Sequence, residues 1–366
     1  MTDSNIIDYM HSICLGIAKK TINLCLSDSR YKHLLLTTTD IIKRIKFTSS
    51  ISVNCINFQK MNLWKAKDFR AFILYIVPFL RTHLPSEFFE LFEFLREGLV
   101  DLFSDLITED ISKRSFDFFK KFIYRYTLMF GEHNLSPNFH DLSHISFNVL
   151  KSGPIYNYSA FNFEHLNGRL ARLCKGTKRL DKQIMFKIQN YMSSYGHSFE
   201  KDSKFEKFKE NLFNLGKWKP TYYFTDHLSF CGKGKNCNLD FQSFSGFDNV
   251  NLNNAICYQR AIYKNKYICN FDYAKNKIAS NCNFISFNEA YCCILLRLGC
   301  ICNTNNEKSP FCLFKVFKID KIGSGVFKLD SETGTKMLDL NDFLSNHHQC
   351  ILFDNIAVKC IKTEAF

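Results

Sequence analysis

The residues of this chain best suited to chemistry are one carboxylate and the cations that follow it. Glu164 is followed by seven Lys or Arg residues between Arg169 and Lys187, and Asp181 is the only acidic residue among them. Carboxylates bind divalent metal ions, and rows of cations bind phosphates. The pattern therefore predicts a protein that handles nucleic acid near a metal-dependent centre. The candidate phosphate-binding residues are Arg169, Arg172, Lys175, Lys178, Arg179 and Lys182.

A helix would have to position these cations if they are to act together. Arg169, Arg172 and Arg179 recur at helical spacing with Lys175 or Lys182, so the pattern predicts a single basic helix face. Gly176 lies inside the run and argues against an unbroken helix. Glu164 has two interpretations of equal weight. It is either a metal ligand or a carboxylate stabilised by the free N–H groups at the start of a helix.

Positive charge is concentrated in the middle of the chain. The net charge is +13, and residues 151–300 contain 22 Lys plus Arg against 11 Asp plus Glu. A localised basic region favours a polyanionic partner over charge that serves only solubility. The length of 366 residues and the apolar content of 46% allow two domains with packed cores.

Other residues that bind metals form weaker patterns. His140 and His144 lie four apart on a predicted helix and could hold a metal ion, but HDLSH lacks the glutamate of the HExxH zinc motif. We favour hydrogen-bonded histidines on a helix face in the core. The 16 cysteines include no Cys-x-x-Cys pair, so reduced and mostly buried thiols are expected. A zinc site containing Cys231, Cys237 and distant partners is the alternative.

The periodicity of apolar residues divides the chain near residue 216. Residues 1–216 follow helical periods, residues 217–254 are predicted to be a linker with at most one strand around 222–224, and residues 255–366 contain short β-prone runs. The expected fold is α+β, a mainly helical N-terminal two-thirds followed by a small β-rich domain. That domain is predicted to be an antiparallel sheet or barrel of roughly five to seven strands.

Prolines, serines and glycines mark the expected helix ends. An apolar stripe through Phe69 and Ile76 belongs to a helix that Pro78 should kink or end, and a second helix should begin at Ser86. A third helix is predicted from about Asp110 to a Gly131 cap, and a fourth from 136–137 to Gly153. No apolar run approaches the ~20 residues needed to cross a bilayer, so no membrane partner is expected.

Five segments of the helical region carry a resemblance to a known family. They are IDYMHSICLGIAK (7–19), WKAKDFRAFILYIVPFL (64–80), LPSEFFE (84–90), GEHNLSPNFHDLSH (131–144) and GPIYNYSAFNFEHLNGRL (153–170). In this order and spacing they resemble the C-terminal half of CACTA-type (EnSpm-like) transposon-encoded transposases, over about residues 6–190. The β-rich part is similar to the tail of those proteins in pattern only.

The resemblance implies that the helical region contains the C-terminal remnant of an RNase H-like core of the DDE type, with a helical insertion. DDE enzymes hold two Mg²⁺ ions with three carboxylates and use them to attack phosphodiester bonds. By the resemblance, Glu164 is the candidate for the last acidic ligand, and Asp8 is another acidic position that the pattern retains. The family's first catalytic aspartate lies upstream of IDYMH. We therefore expect an incomplete catalytic set, with Mg²⁺ bound only if upstream carboxylates complete the site.

These observations together predict a truncated or domesticated transposase-derived protein that binds DNA through a basic helix and does not cut DNA alone. The cations would contact phosphates without reading bases. One alternative is a protein-interaction scaffold whose β-rich domain docks a partner such as a full-length transposase. Another is a transposon fragment without a selected role. The chain shows no signal-peptide pattern at its start, and the expected location is intracellular, in the nucleus.

Overall fold

The computed structural model describes residues 6–49, 51, 57–174, 178–195, 220–237, 255–264, 266–275, 277, 280–302 and 308–360. Helices form its N-terminal part and strands form most of its C-terminal part, which confirms the α+β prediction. Within these ranges, no helix combines the length and the apolar character needed to span a membrane.

The described N-terminal part is built from helices α1 to α9. Helix α1 is π-helical over Met10–Ala18 and α-helical over Lys19–Ser27. Helix α4, Ala66–Ala71, continues as a π-helical turn over Phe72–Ile76 and a 3₁₀ turn over Val77–Leu80. The others are α2 (Ser29–Thr37), α3 (Thr39–Arg44), α5 (Ser86–Asp101), α6 (Glu109–Phe130), α7 (Pro137–Ser152), α8 (Ala160–Leu173) and α9 (Leu180–Tyr195).

The ends of α5, α6 and α7 confirm the predictions from proline, serine and glycine. Helix α5 begins at Ser86, directly after Pro85. Helix α6 ends before Gly131, whose φ of 81° is unfavourable for a residue with a side chain. Helix α7 has Pro137 at its first position, where the missing N–H costs nothing, and ends before Gly153 at a φ of 76°.

The segment that contains Pro78 differs from a regular amphipathic helix. All residues from 71 to 80 are buried, so the predicted apolar stripe is only part of a segment that is enclosed on every side. The helix changes from α to π and then to 3₁₀ before and across Pro78, which has no N–H to donate to a preceding carbonyl.

The strands of the described C-terminal part are β1 (Tyr222–Tyr223), β2 (Leu228–Cys231), β3 (Lys235–Cys237), β4 (Ala255–Tyr258), β5 (Arg260–Tyr263), β6 (Lys266–Cys269), β7 (Asn283–Ser286), β8 (Tyr291–Cys302), β9 (Lys308–Gly323), β10 (Val326–Asp339), β11 (His347–Phe353) and β12 (Ile356–Lys359).

Six of these strands close into an antiparallel ring. Their order is β8-β7-β11-β12-β10-β9, and β9 pairs back with β8. Strands β3 and β4 extend this array beside β8, and a separate sheet has the order β1-β2-β5-β6. The structure thus has the closed form of the two expected alternatives, but the described part of 255–366 contains nine strands where roughly five to seven were expected.

Two short helices accompany the strands, α10 (Phe271–Lys275) and α11 (Leu340–Ser345). The predicted linker, residues 217–254, contains more strands than expected, because β1, β2 and β3 all lie in its described part. These strands are two to four residues long, and β2 and β3 pair with β5 and β4 from the following region. Strands this short carry too few residues for an alternating pattern. Residues 217–219 and 238–254 lie outside the described ranges.

The helical part and the ring of strands share one hydrophobic core. Val326, Ile351, Ile356 and Val358 of the ring pack in the same buried cluster as the helices. The aromatic rings of Phe79, in the helical part, and Phe353, on β11, also pack edge to face with their centroids 5.9 Å apart. The shared core therefore contains residues from both sides of the predicted linker, from before residue 216 and from after residue 255.

A buried ionic cluster joins the same two parts. The guanidinium of Arg96 on α5 donates to Glu97 Oε1 at 2.7 Å and to the carbonyl oxygen of Ser324 at 2.6 Å. The Ser324 N–H donates in turn to both oxygens of the Glu97 carboxylate, at 3.0 and 3.1 Å. Ser324 lies in the turn between β9 and β10, so that turn is held by charge-assisted hydrogen bonds.

Candidate functional site

The carboxylate of Asp8 connects the beginnings of two helices. Its Oδ1 accepts from the N–H of Met10 at 3.3 Å and from the N–H of Ala160, the first residue of α8, at 2.9 Å. Its Oδ2 accepts from the N–H of His11 at 3.2 Å and lies 2.6 Å from Nδ1 of the same residue. Asp8 is therefore placed where N-terminal N–H groups stabilise a negative charge.

Aromatic packing and one arginine hold α1, α4 and α8 together beside Asp8. The rings of Tyr9 and Phe161 lie 5.5 Å apart, and the Arg70 guanidinium is 4.1 Å from the centre of the Phe161 ring. Arg70 also donates to the Tyr9 hydroxyl at 3.3 Å. Burial raises the pKa of Tyr9, and Arg70 opposes that rise. These contacts fix the start of α8 against the helical core.

Glu164 lies on the helix that Asp8 caps, but beyond its first turn. The first turn of α8 contains no acidic residue, and the side chain of Glu164 is exposed. The helix-terminus interpretation of Glu164 is therefore wrong, because that stabilisation fades within the first turn. Ala160 and Glu164 are separated by about one turn, ~6 Å along the axis. The structure thus brings both acidic candidates to the same end of α8.

The cations that follow Glu164 do not form one helix face. Arg169 and Arg172 lie in the last turns of α8, which ends at Leu173 before an extended Cys174. Lys178 and Arg179 form a turn before α9, and Arg179 has a φ of 51°. The prediction of a single basic helix is wrong, because the helix stops before Gly176. Of the remaining two candidates, Lys175 lies outside the described residues, and Lys182 is exposed in the first turn of α9.

Apolar side chains are exposed on the same two helices, which sequence reasoning missed. No described side chain of α9 is buried. Phe163 is 65% exposed and Phe186 58% exposed, and the Lys187 ammonium lies 5.8 Å from the centre of the Phe186 ring. The sequence signal that could have found them is that these apolar residues alternate with cations and lack the regular spacing of a buried helix stripe. The exposed set is Phe163, Leu166, Leu180, Ile184, Met185 and Phe186.

The α8–α9 segment, residues 160–195 as far as they are described, therefore presents cations and aromatic rings together. Cations contact phosphates, and exposed rings stack on the faces of unpaired bases. The same rings can also pack against an apolar protein surface. The segment is thus chemically suited to a nucleic acid and, through its apolar side chains, to a protein.

The histidines of α7 lie side by side on its surface. Nε2 of His144 is 3.0 Å from Nε2 of His140, and the His140 ring is exposed. The expected hydrogen bond is present, but it joins the two rings instead of fixing them in the core. In the portion of the chain that the structure describes, no group of three or more His, Cys, Asp or Glu side chains is arranged to hold a metal ion.

The described cysteines are free thiols, and most are buried. Cys231 is buried on β2, whereas Cys237 is half-buried at the end of β3. Burial raises the pKa of the Cys231 thiol, which keeps it protonated and unreactive at neutral pH.

Comparison with known proteins adds no relationship. No protein-family model matches the chain, and neither the curated proteins nor the solved structures contain a match.

Proposed function

We propose that this chain is a transposase-derived protein that binds DNA through the α8–α9 segment and does not cut DNA by itself. The observation that carries this function is the exposure of Lys178, Arg179 and Lys182 around the start of α9, directly after the helix that bears Arg169 and Arg172. Cations in this arrangement bind phosphates and make binding depend steeply on salt. The ordered resemblance to CACTA-type transposases supports the same function.

The surroundings of Asp8 support binding over cleavage. Both of its carboxylate oxygens already accept backbone N–H groups, so a metal ion would compete with the helix caps. Of the three acidic ligands of the resembling family, only Glu164 and Asp8 have candidate positions in this chain. A two-metal reaction needs bridging ligands in defined geometry, and two carboxylates do not supply them. Any Mg²⁺ chemistry would require carboxylates from elsewhere.

The test is a change in the salt dependence of DNA binding. Lys178, Arg179 and Lys182 are replaced by Gln, and binding to a labelled duplex is followed by fluorescence anisotropy between about 50 and 200 mM salt. The expected result is weaker binding and a logarithmic salt slope that is smaller by about 0.9 for each phosphate that the variant no longer neutralises.

The matched control removes the same charge from another surface. Lys113, Lys120 and Lys121, all exposed on α6, are replaced by Gln. This variant should retain the affinity and the slope. Equal losses in both variants, or a flat salt dependence of the unmodified protein, would contradict binding by the α8–α9 segment. Cleavage of the duplex in Mg²⁺ or Mn²⁺ would contradict the absence of cutting.

A protein partner is the second candidate, and the exposed apolar side chains of α8 and α9 favour it. Replacing Phe163, Met185 and Phe186 with Ser removes apolar area from the segment without changing its charge. If the partner is a protein such as a full-length transposase, its co-purification with this chain should be abolished while DNA binding through the cations persists. Retained co-purification would place that interface elsewhere, for example on the strand region.

A further inference from the structure

Two thiols meet at the edge of the strand array beside the ring. Cys237 is the last residue of β3, and Cys257 lies on β4. In the register of this antiparallel pair, Cys237 faces Ala255 and Lys235 faces Cys257. The two cysteines are therefore diagonal neighbours on one face of the pair. Cys237 packs against the apolar cluster that contains Cys257, and its thiol donates to the carbonyl oxygen of Lys235 at 3.5 Å.

The two thiols differ in their access to solvent. Cys257 is 7% exposed, whereas Cys237 is half-buried. Among the described strands, β3 is the last on its side of the array and pairs with β4 alone. The exposed part of Cys237 lets a small polar molecule reach its thiol, and Cys257 lies in the apolar cluster against which Cys237 packs.

A second thiol pair supplies an internal comparison. Cys292 on β8 and Cys350 on β11 also lie in one apolar cluster, but both are fully buried in it. Burial raises the pKa of Cys350 well above the ordinary thiol range. Packing around a shared cluster is common to both pairs, so the partial exposure of Cys237 is the property that distinguishes Cys237 and Cys257.

We propose that Cys237 and Cys257 form an oxidation site at which a peroxide converts the two thiols into a disulfide. The Cys237 thiol loses its proton and its sulfur attacks one peroxide oxygen; the O–O bond breaks, and the departing hydroxide takes up the proton, which gives a sulfenic acid and water. The sulfur of Cys257 then attacks the Cys237 sulfur, forms the S–S bond and releases a second water. The two thiols lose two electrons and two protons in total, and hydrogen peroxide is reduced to two waters.

Solvent access assigns the order of these steps. Cys237 is half-buried and meets the oxidant, whereas Cys257 is 7% exposed and burial raises its pKa to about 12, so it does not compete for the peroxide. Cys257 reacts only with the neighbouring sulfenic acid and gives its proton to the hydroxyl that leaves Cys237 as water. Because β3 is only three residues long, it can make the backbone movement that two diagonal cysteines need to form a disulfide.

The experiment maps the bond in the full chain. The reduced protein is treated with graded hydrogen peroxide, unfolded in the presence of iodoacetamide and digested without reductant, and the peptides are weighed by mass spectrometry. The expected product is a pair of linked peptides that contain Cys237 and Cys257, lighter by two hydrogens than the separate peptides. The peptides of Cys292 and Cys350 should be fully alkylated at the same peroxide dose.

Two variants separate the roles of the thiols. Cys237→Ser alters a half-buried position and should remove the linked peptide while the fold, followed by circular dichroism, is retained. Cys257→Ser should leave a sulfenic acid on Cys237 that dimedone traps. Alkylation of both Cys237 and Cys257 at peroxide doses that oxidise other thiols of the chain would overturn the assignment, as would a link from Cys237 to a different cysteine. If Cys257→Ser does not fold, the Cys237→Ser variant and the peptide map still decide the question.

Discussion

One carboxylate, that of Asp8, stabilises two helices whose starts lie far apart in the chain, with 152 positions between Asp8 and Ala160. A cap on α1 alone could be expected from an Asp that precedes a helix. The bond to Ala160 could not, because the arrival of α8 depends on packing between Tyr9, Phe161 and Arg70. The sequence therefore identifies Asp8 as an acidic position of interest, whereas its hydrogen bonds identify it as a shared helix cap.

Asp8→Ala should lower the free energy of unfolding by about 1–2 kcal/mol, because the variant removes the acceptor of two N–H groups at the start of α1 and of the Ala160 N–H of α8, which keeps its own Ser159 cap. Asp8→Asn should cost less, since the amide oxygen still accepts. Urea unfolding followed by circular dichroism measures both. Asp117→Ala is the control, because Asp117 is exposed in the middle of α6 and its ion pair with the Lys120 ammonium is a surface pair, so it should have little effect. Equal effects of Asp8→Ala and Asp117→Ala would contradict the capping role.

Two buried or half-buried glutamates should give opposite dependences of stability on pH. Burial raises the pKa of Glu93, against the opposing effect of Arg96. Its contribution to stability is present below the unfolded pKa and is lost as the pH rises through the folded pKa. Burial alone would raise the pKa of Glu289 as well, but Lys321 and Lys359 lower it. The stability that Glu289 contributes is present above its unfolded pKa and is lost as the pH falls through the folded pKa.

The measurement is urea unfolding of Glu93→Gln and Glu289→Gln from acidic to neutral pH. Relative to the unmodified protein, Glu93→Gln should gain stability as the pH rises, because the glutamine, unlike the buried glutamate, cannot ionise. Glu289→Gln should lose stability over the same rise, because it cannot pair with the two lysines. Parallel trends in the two variants would contradict these assignments.

At the scale of elements, two glycines allow close approach of neighbouring backbones and rings. A Cβ on Gly98 of α5 would lie 2.6 Å from the Phe119 ring of α6. A Cβ on Gly299 of β8 would overlap the carbonyl oxygen of Ile256 on β4. Backbone cannot yield as the end of a flexible side chain can, so the β4–β8 approach is the stricter of the two.

Gly299→Ala should therefore destabilise the protein by roughly 1–3 kcal/mol through overpacking. Gly168→Ala is the matched control, because Gly168 lies within α8 and nothing approaches the position of its Cβ within 4 Å. This second change should stabilise by roughly 0.5–1 kcal/mol, since it restricts the unfolded chain and favours the helix. Thermal unfolding distinguishes the two signs, and a shift in the same direction for both would contradict the packing argument.

Local chemistry explains which elements could be predicted. Pro85, Gly131 and Gly153 act within their own turns, so the sequence predicted the ends of α5, α6 and α7. The closing of the ring depends on β9 pairing with both β8 and β10, and the break before Gly176 depends on where α8 leaves the helical core. Packing between residues that are distant in the chain produces no periodic pattern in the sequence. For the α8–α9 segment, the sequence predicted the cations but not the exposed aromatic rings.

At the scale of the whole molecule, Arg96 lies where the helices meet the strands. Arg96→Ala would leave Glu97 buried without its charged partner and remove a hydrogen bond to Ser324, so it should cost about 3–5 kcal/mol. Because the core is shared, a reporter in the helices and one in the ring should lose the same amount. The reporters are the fluorescence of Trp64, in a Trp218→Phe background, and the alkylation of Cys293.

The unmodified protein should give coincident unfolding curves for the two reporters, as expected for a single cooperative transition. Arg96→Ala should shift both curves together to lower urea. Lys113→Ala, at an exposed position on α6, is the control and should shift neither. A displaced Trp64 curve with an unchanged Cys293 curve would show that the helices and the ring unfold separately.

The bond between Arg96 and Ser324 also has a consequence for synthesis, because 228 positions separate the two residues. The helices leave the ribosome long before the turn between β9 and β10 exists. Until that turn arrives, the Arg96 guanidinium has its helical partners Leu74 and Glu97 but not Ser324, and the apolar surface that later receives Val326 and Ile351 is uncovered. Long-range closure of this kind is slow and leaves partly folded chains prone to association. A nascent helical region of this protein is therefore a natural client for a chaperone until its last strands have been made.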